Sequence, residues 1–165
     1  MIEWFSANKL VLNWEKTNIM KSLTINQPYC ALTISFKSKC IEEAVNLIFL
    51  GIQIDSLFNW RNHTDQIIPK LSEAYYMFRQ MYHICNNDIL RLIYFAYFHP
   101  IASYGIILWG NSSYSRKIYT LQKRIIRIMM GAHPTTYCRN LFKKFEILKI
   151  PSLYTYIYIL IDEFF

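Results

Sequence analysis

The spacing of apolar residues changes character near Asp55. Before it the pattern is mostly strand-like. Ile2 to Ala7 reads as a short helix. Lys9 to Asn13 and Lys16 to Leu23 read as short strands, and Cys30 to Phe36 as an alternating strand rich in β-forming residues. Val45 to Asp55 reads as a further strand, in which Gly51 marks a bulge or a close backbone approach. Together these segments predict a small antiparallel sheet or paired hairpins.

After Asp55 the period becomes helical. Between Asn62 and Tyr82, Ile67, Ile68, Leu71, Ala74, Tyr75, Phe78 and Met81 recur at three and four, which predicts one amphipathic helix. Asn86, Asn87 and Asp88 offer an N-cap to a segment from Ile89 to Phe98 that is apolar nearly all round and is expected to be buried. Ser113 is placed to cap the next helix, Tyr114 to Met130, with Gly131 as its stop and Pro134 beyond. A short basic helix, Thr136 to Phe145, follows, and Pro151 opens a last helix. The fold class predicted is α+β, with a small antiparallel region over residues 1–55 and a mainly helical region over 56–165. Trp60, Tyr104 and Trp109 sit in apolar surroundings and are expected in the core rather than as base-stacking platforms.

Charge sharpens the picture. The net charge is +7, but Tyr114 to Ile150 holds nine basic residues against Glu146 alone, so this stretch exceeds the whole surplus. Such asymmetry points to a polyanionic partner. On the helix Tyr114–Met130, Ile118, Leu121, Ile125, Ile128 and Met129 fall within an arc of about 100°. Arg116, Lys117, Lys123, Arg124 and Arg127 fall within about 120° on the other side. A helix with one packing face and one row of cations, and no acid, suits contact with phosphates by counterion release, which carries no sequence information.

Other chemistry is harder to assemble. Cys30, Cys40, Cys85 and Cys138 lack zinc-site spacing and read as free thiols of a reducing compartment. His83 with Cys85, or His133 with Cys138, gives too few ligands for a metal. No cationic start followed by an apolar run opens the chain. Leu92 to Trp109 borders on the length of a membrane span, yet His99-Pro100 near its middle is costly in lipid, so a buried helix or two helices meeting at Pro100 is expected instead. The four aspartates, Asp55, Asp65, Asp88 and Asp162, are scattered, whereas two-metal phosphoryl transfer needs clustered carboxylates. Phosphate-loop, dinucleotide, nucleophile-elbow and zinc-protease motifs are all absent.

Several strings are informative in combination. Trp4-x3-Asn8-x-Leu10-x-Leu12-Asn13-x2-Lys16-Thr17-x2-Met20 resembles the stretch after the active-site strand in reverse transcriptases of non-LTR, LINE-type retrotransposons. Phe49-Leu50-Gly51-Ile52-x-Ile54-Asp55, with Trp60 and His63, resembles the primer-grip hairpin that follows. Pro100-x3-Tyr104-Gly105-x3-Trp109-Gly110, Leu121-Gln122-Lys123 with Arg127, Cys138-Arg139-x-Leu141-Phe142 and Ile147-Leu148-x-Ile150-Pro151 are similar to that family's thumb. Order and spacing agree along nearly the whole chain.

The resemblance implies an RNA-directed DNA polymerase, with 1–55 as the end of the palm and 56–165 as the thumb and connection. The family's metal-binding aspartates lie upstream of the first matching string, so the expectation is a truncated piece without the rest of the palm and the fingers. Such a piece is expected not to polymerise alone and to need no cofactor itself, whereas the intact family enzyme uses magnesium. Lys16 matches the lysine at the closing edge of the palm, where it could act as a general acid toward pyrophosphate. Leu50, Gly51 and Ile52 match the turn that presents backbone to the primer terminus. The implied partner is a template–primer of RNA and DNA, with no small-molecule cofactor and no membrane, in the nucleus or cytoplasm. A rival reading is a non-catalytic nucleic-acid-binding module that uses the basic helix 114–130. A palm remnant without neighbouring strands is also expected to expose apolar surface and to aggregate.

Overall fold

In a computed structural model of the chain, residues 2–11, 13, 16–22, 34–36, 39–41 and 43–164 are described. They form an α+β chain of two compact units, Met1–Asn59 and Trp60–Phe165.

Among its described residues the first unit holds one helix and two antiparallel hairpins. Helix α1 spans Ile2–Ala7. The segment read as a strand at Lys9–Asn13 instead unwinds the end of α1: Leu10 N–H donates to Phe5 C=O at 2.9 Å and Lys9 takes a positive φ of 53°. Its short run of leucine and valine gave no means of telling strand from helix exit. Leu12 lies outside the described residues. Of the strand expected over Lys16–Leu23, the described residues contribute a single bridge, Ile19 to Glu43, with Ala44 N–H on Ile19 C=O at 2.8 Å.

Strands β1 (Ile34–Phe36) and β2 (Lys39–Ile41) pair in the first hairpin, with Ser35 opposite Cys40. The expected strand positions 30–33 lie outside the described residues. The segment Val45–Asp55 is not one strand. It folds back on itself as β3 (Asn46–Phe49) and β4 (Ile52–Asp55), in register Asn46–Asp55 and Phe49–Ile52. Gly51 is thus the second residue of a two-residue turn rather than a bulge. Leu50 and Gly51 have φ of 49° and 78°, the paired positive values that suit a type I′ turn to strand twist. After β4 the buried Asp55 carboxylate accepts from Leu57 N–H at 3.1 Å and Asn59 N–H at 3.0 Å, forming the side-chain turn that aspartate favours.

The second unit is helical. Helix α2 (Arg61–Met81) buries Ile67, Leu71, Ala74 and Phe78, the three-and-four stripe of the sequence, against α6 (Ser115–Met129). Helix α3 (Asn87–Ile93) starts as expected, with Asn86 Oδ1 accepting from Ile89 N–H at 2.9 Å. It runs into a π turn, Tyr94–Phe98, and on through α4 (His99–Ser103). Only Leu90, Tyr94, Phe98 and Ala102 are buried here; Ile89, Leu92, Phe95 and Tyr97 are exposed, which corrects the expectation of burial all round.

A strict spacing of four drifts about 40° per step round an ordinary helix, and the wider π turn takes part of that drift back. The π turn also precedes Pro100, which has no N–H to donate. The helix therefore crosses Pro100 and breaks at Gly105, φ 62°, before α5 (Ile106–Trp109). No described helix is long and apolar enough to cross a membrane. Trp60 and Trp109 are core residues as expected, while Tyr104 is 53% exposed. Helices α7 (Arg139–Lys144) and α8 (Ile150–Phe164) complete the unit.

Candidate nucleic-acid interface

Helix α6 carries the basic surface, and its own ends fix its position. Ser113 does not cap it. The helix begins at Ser115, whose hydroxyl donates to Ser112 C=O at 2.8 Å. At the other end Ala132 N–H reaches Arg127 C=O and Gly131 N–H reaches Ile128 C=O, both at 2.9 Å, a Schellman stop with Gly131 at φ 59°.

The buried face is rotated from the one expected. Ile118, Gln122, Ile125, Ile126 and Met129 are buried, while Leu121 and Ile128 are only half-buried. Gln122 is the polar member of that face, and its amide is fully used. Nε2 donates to the Tyr94 hydroxyl and to Leu148 C=O, each at 2.8 Å, and Oε1 accepts from Ile150 N–H at 3.0 Å. One side chain thus joins the π turn, α6 and the start of α8. Burial pushes the Tyr94 phenol up, with the Gln122 hydrogen bond acting weakly the other way.

The five cations of α6 share one side of the helix but differ in their partners. Lys117 donates to Asp65 Oδ1 at 3.0 Å, and Asp65 also faces Arg61 at 3.7 Å, so this cation is partly neutralised by α2. Lys123 lies 4.7 Å above the Tyr119 ring. Arg127 Nε donates to Thr136 C=O at 3.0 Å. Arg116 and Arg124 are exposed, and among the described residues neither meets a carboxylate. The sequence-predicted row therefore separates into a paired lysine, two outward arginines and two cations turned toward the segment 136–139.

That segment leads into α7 and α8. Arg91 Nε donates to Phe145 C=O at 2.8 Å, and its NH2 donates to Glu146 at 2.9 Å. The single acid of the basic stretch is thereby engaged with α3. Arg139 at the start of α7 and Lys149 just before α8 bring two more cations beside Lys123 and Arg127, around a cleft of about 200 Å³.

No family model, no curated sequence and no solved structure matches the chain. The resemblance to reverse transcriptases rests on the strings alone.

The other expected site residues belong to the first unit. Lys16 is exposed and outside the described strands, with its N–H directed to Asn13 C=O and Oδ1, each at 3.3 Å. Leu50 and Gly51 form the exposed hairpin tip, and Ile52 is buried at the head of β4. Among the described residues no group of three or more His, Cys, Asp or Glu gathers in one place. Sequence reasoning quoted Gln122 only within the string Leu121-Gln122-Lys123 and did not place it on the buried face, although it stands four residues after Ile118 and three before Ile125. It did not bring Arg139 or Lys149 together with α6, because their meeting depends on the turn at 145–149.

Proposed function

We propose that the chain contacts the sugar–phosphate backbone of nucleic acid as the palm-end and thumb portion of a non-LTR retrotransposon reverse transcriptase, without polymerising by itself. The observation that carries this reading is the outward pair Arg116 and Arg124 on a helix held rigid by a Schellman stop and by Gln122. Both cations are exposed and lack a carboxylate partner among the described residues. Cations of this kind replace condensed counterions on a duplex and add affinity without reading bases. The ordered strings around Lys16, Leu50-Gly51-Ile52 and Pro100–Gly110 support the polymerase assignment, and the scattered aspartates support the lack of chemistry in this chain. The self-contained core of the second unit favours a second reading, a binding module that works without catalysis.

Binding of the purified chain to an RNA–DNA hybrid and to duplex DNA, followed by fluorescence anisotropy across a salt series, tests the proposal. A defined complex is expected, with affinity falling steeply with salt. Arg116→Gln with Arg124→Gln should make the log–log slope shallower by about 2, about 1 for each phosphate no longer neutralised. Absence of a defined complex, or a slope unchanged in the double variant, overturns it. Magnesium-dependent primer extension by the wild-type chain would overturn the non-catalytic part alone.

A further inference from the structure

We propose that the cleft between α6 and the start of α7 is a binding pocket for a terminal phosphate monoester of a nucleotide. This deepens the preceding reading and rests on it: the outward arginines track a backbone, and the cleft takes an end.

The cleft, about 200 Å³, is lined by Lys123, Arg127, Arg139 and Lys149 and by no acid. Four cations gathered on one small concavity repel one another, and an entering anion relieves that repulsion. The two cations from α6 are already placed. Arg127 spends Nε on Thr136 C=O at 3.0 Å, which orients its guanidinium and leaves both terminal amino groups for a ligand. Lys123 is held 4.7 Å from the Tyr119 ring. Pre-placed donors lose little side-chain freedom on binding.

Tyr119 adds a hydroxyl donor. Burial, and then the neighbouring Cys138 and Tyr137, push its pKa upward, so the phenol keeps its proton. Tyr137, 79% exposed, also lines the cleft. A phosphate monoester carries nearly two charges at neutral pH and three acceptor oxygens, which suits several converging donors better than a carboxylate does.

A wider groove of about 430 Å³ shares Arg139 and Lys149 with the cleft. The groove is also lined by the apolar side chains of Phe142, Ile147 and Leu148, by Lys143, and by Glu146, which Arg91 pairs at 2.9 Å. The three apolar side chains offer contact to a sugar and base that follow the phosphate.

The test compares 5′-phosphorylated and 5′-hydroxyl forms of one DNA oligonucleotide, with a nucleoside 5′-monophosphate as competitor, on the full chain. The phosphorylated form is expected to bind about tenfold tighter, the effect of one charge-assisted hydrogen bond. Arg139→Gln with Lys149→Gln should abolish the difference, and Arg139→Gln alone, at an exposed position, should reduce it. Circular dichroism of both variants checks that they fold. Competition by the free nucleotide identifies a mononucleotide as the ligand; its failure, with the preference intact, identifies a strand end.

Equal affinity of the two oligonucleotides without competition overturns the proposal, as does a preference that survives in a folded double variant. Salt-dependent duplex binding that persists in either case leaves the broader reading standing. Loss of all nucleic-acid binding removes both.

Discussion

Phe49 and Phe78 are the same side chain in two settings. Phe49, beside the tip of the second hairpin, is 60% exposed, and Val45, Ile48 and Leu50 around it are more exposed still. Phe78 on α2 is fully buried, as are Leu71, Ile118, Ile125 and Met129 nearby in the helical unit. Among the described residues of the first unit the strands have three or four residues, each paired with one neighbour. Two-stranded ribbons of that length are marginal in water. The second unit has helices of up to 21 residues that cover each other's apolar stripes. Apolar content is high in both, so composition does not separate them. What separates them is whether the topology offers each apolar face a second layer.

The sharpest break of this contrast is a matched truncation. Phe78→Ala should destabilise the chain by about 3–5 kcal/mol, the range for a large aromatic in a closed core, whereas Phe49→Ala should change stability by about 0.5 kcal/mol or less. Thermal melting of the two variants reads the difference, and equal losses would erase the contrast.

Next in size is the polar joint of the helical unit. Gln122→Leu keeps the volume but strands the Tyr94 hydroxyl and Ile150 N–H in the core and removes the donor to the part-buried Leu148 C=O. A loss of about 3 kcal/mol is expected. Hydrogen exchange should quicken in α6 and α8 and stay unchanged in the hairpin amides 46–55.

A gain is expected in the first unit. Leu50 holds a left-handed conformation that costs a non-glycine residue about 1 kcal/mol. Leu50→Asn, a residue suited to the first position of such a turn, should recover up to about that much and slow exchange of the hairpin amides. No slowing would mean that the packing of the Leu50 side chain outweighs its backbone cost.

The smallest effect is with pH. Burial lowers the pKa of His63 and His99 below the ordinary 6.5. Below that value the unfolded chain takes up protons that the folded chain refuses. Stability is therefore full above pH 6.5 and falls as pH drops through the lower folded values. Melting temperatures between pH 7.5 and 5 should show a shallow decline, and His99→Gln should flatten it.

These contrasts also explain what was legible in the sequence. Helices α2 and α6 were, because a long three-and-four stripe and a clean charge division need no tertiary knowledge. The Asn86 cap and the Gly131 stop were legible for the same local reason. The alternation of residues alone missed the turn, because Leu50-Gly51 lacks the Asn or Asp that marks a type I′ pair, and only the resemblance implied a hairpin there. The strand reading of Lys9–Asn13 failed because the exit of α1 happens to be apolar. For the candidate site, residue type was visible and partnership was not. Lys117 could be seen as a cation, but its pairing with Asp65 spans 52 positions. Arg139 and Lys149 reach the same cleft only after the chain turns at Glu146, which takes φ 53° without being glycine.

The π turn at Tyr94–Phe98 has a consequence for how this segment changes over generations. If the exposed Ala96 is struck out, Leu90, Tyr94, Phe98 and Ala102 fall at spacings of four, three and four, the rhythm of a plain amphipathic helix. The segment is then an ordinary helix carrying one surplus residue, housed as a local widening that spares the buried side from rotation. Kindred chains aligned to this one should show their single-residue gaps between 94 and 98, and those lacking the surplus residue should lack Pro100 as well.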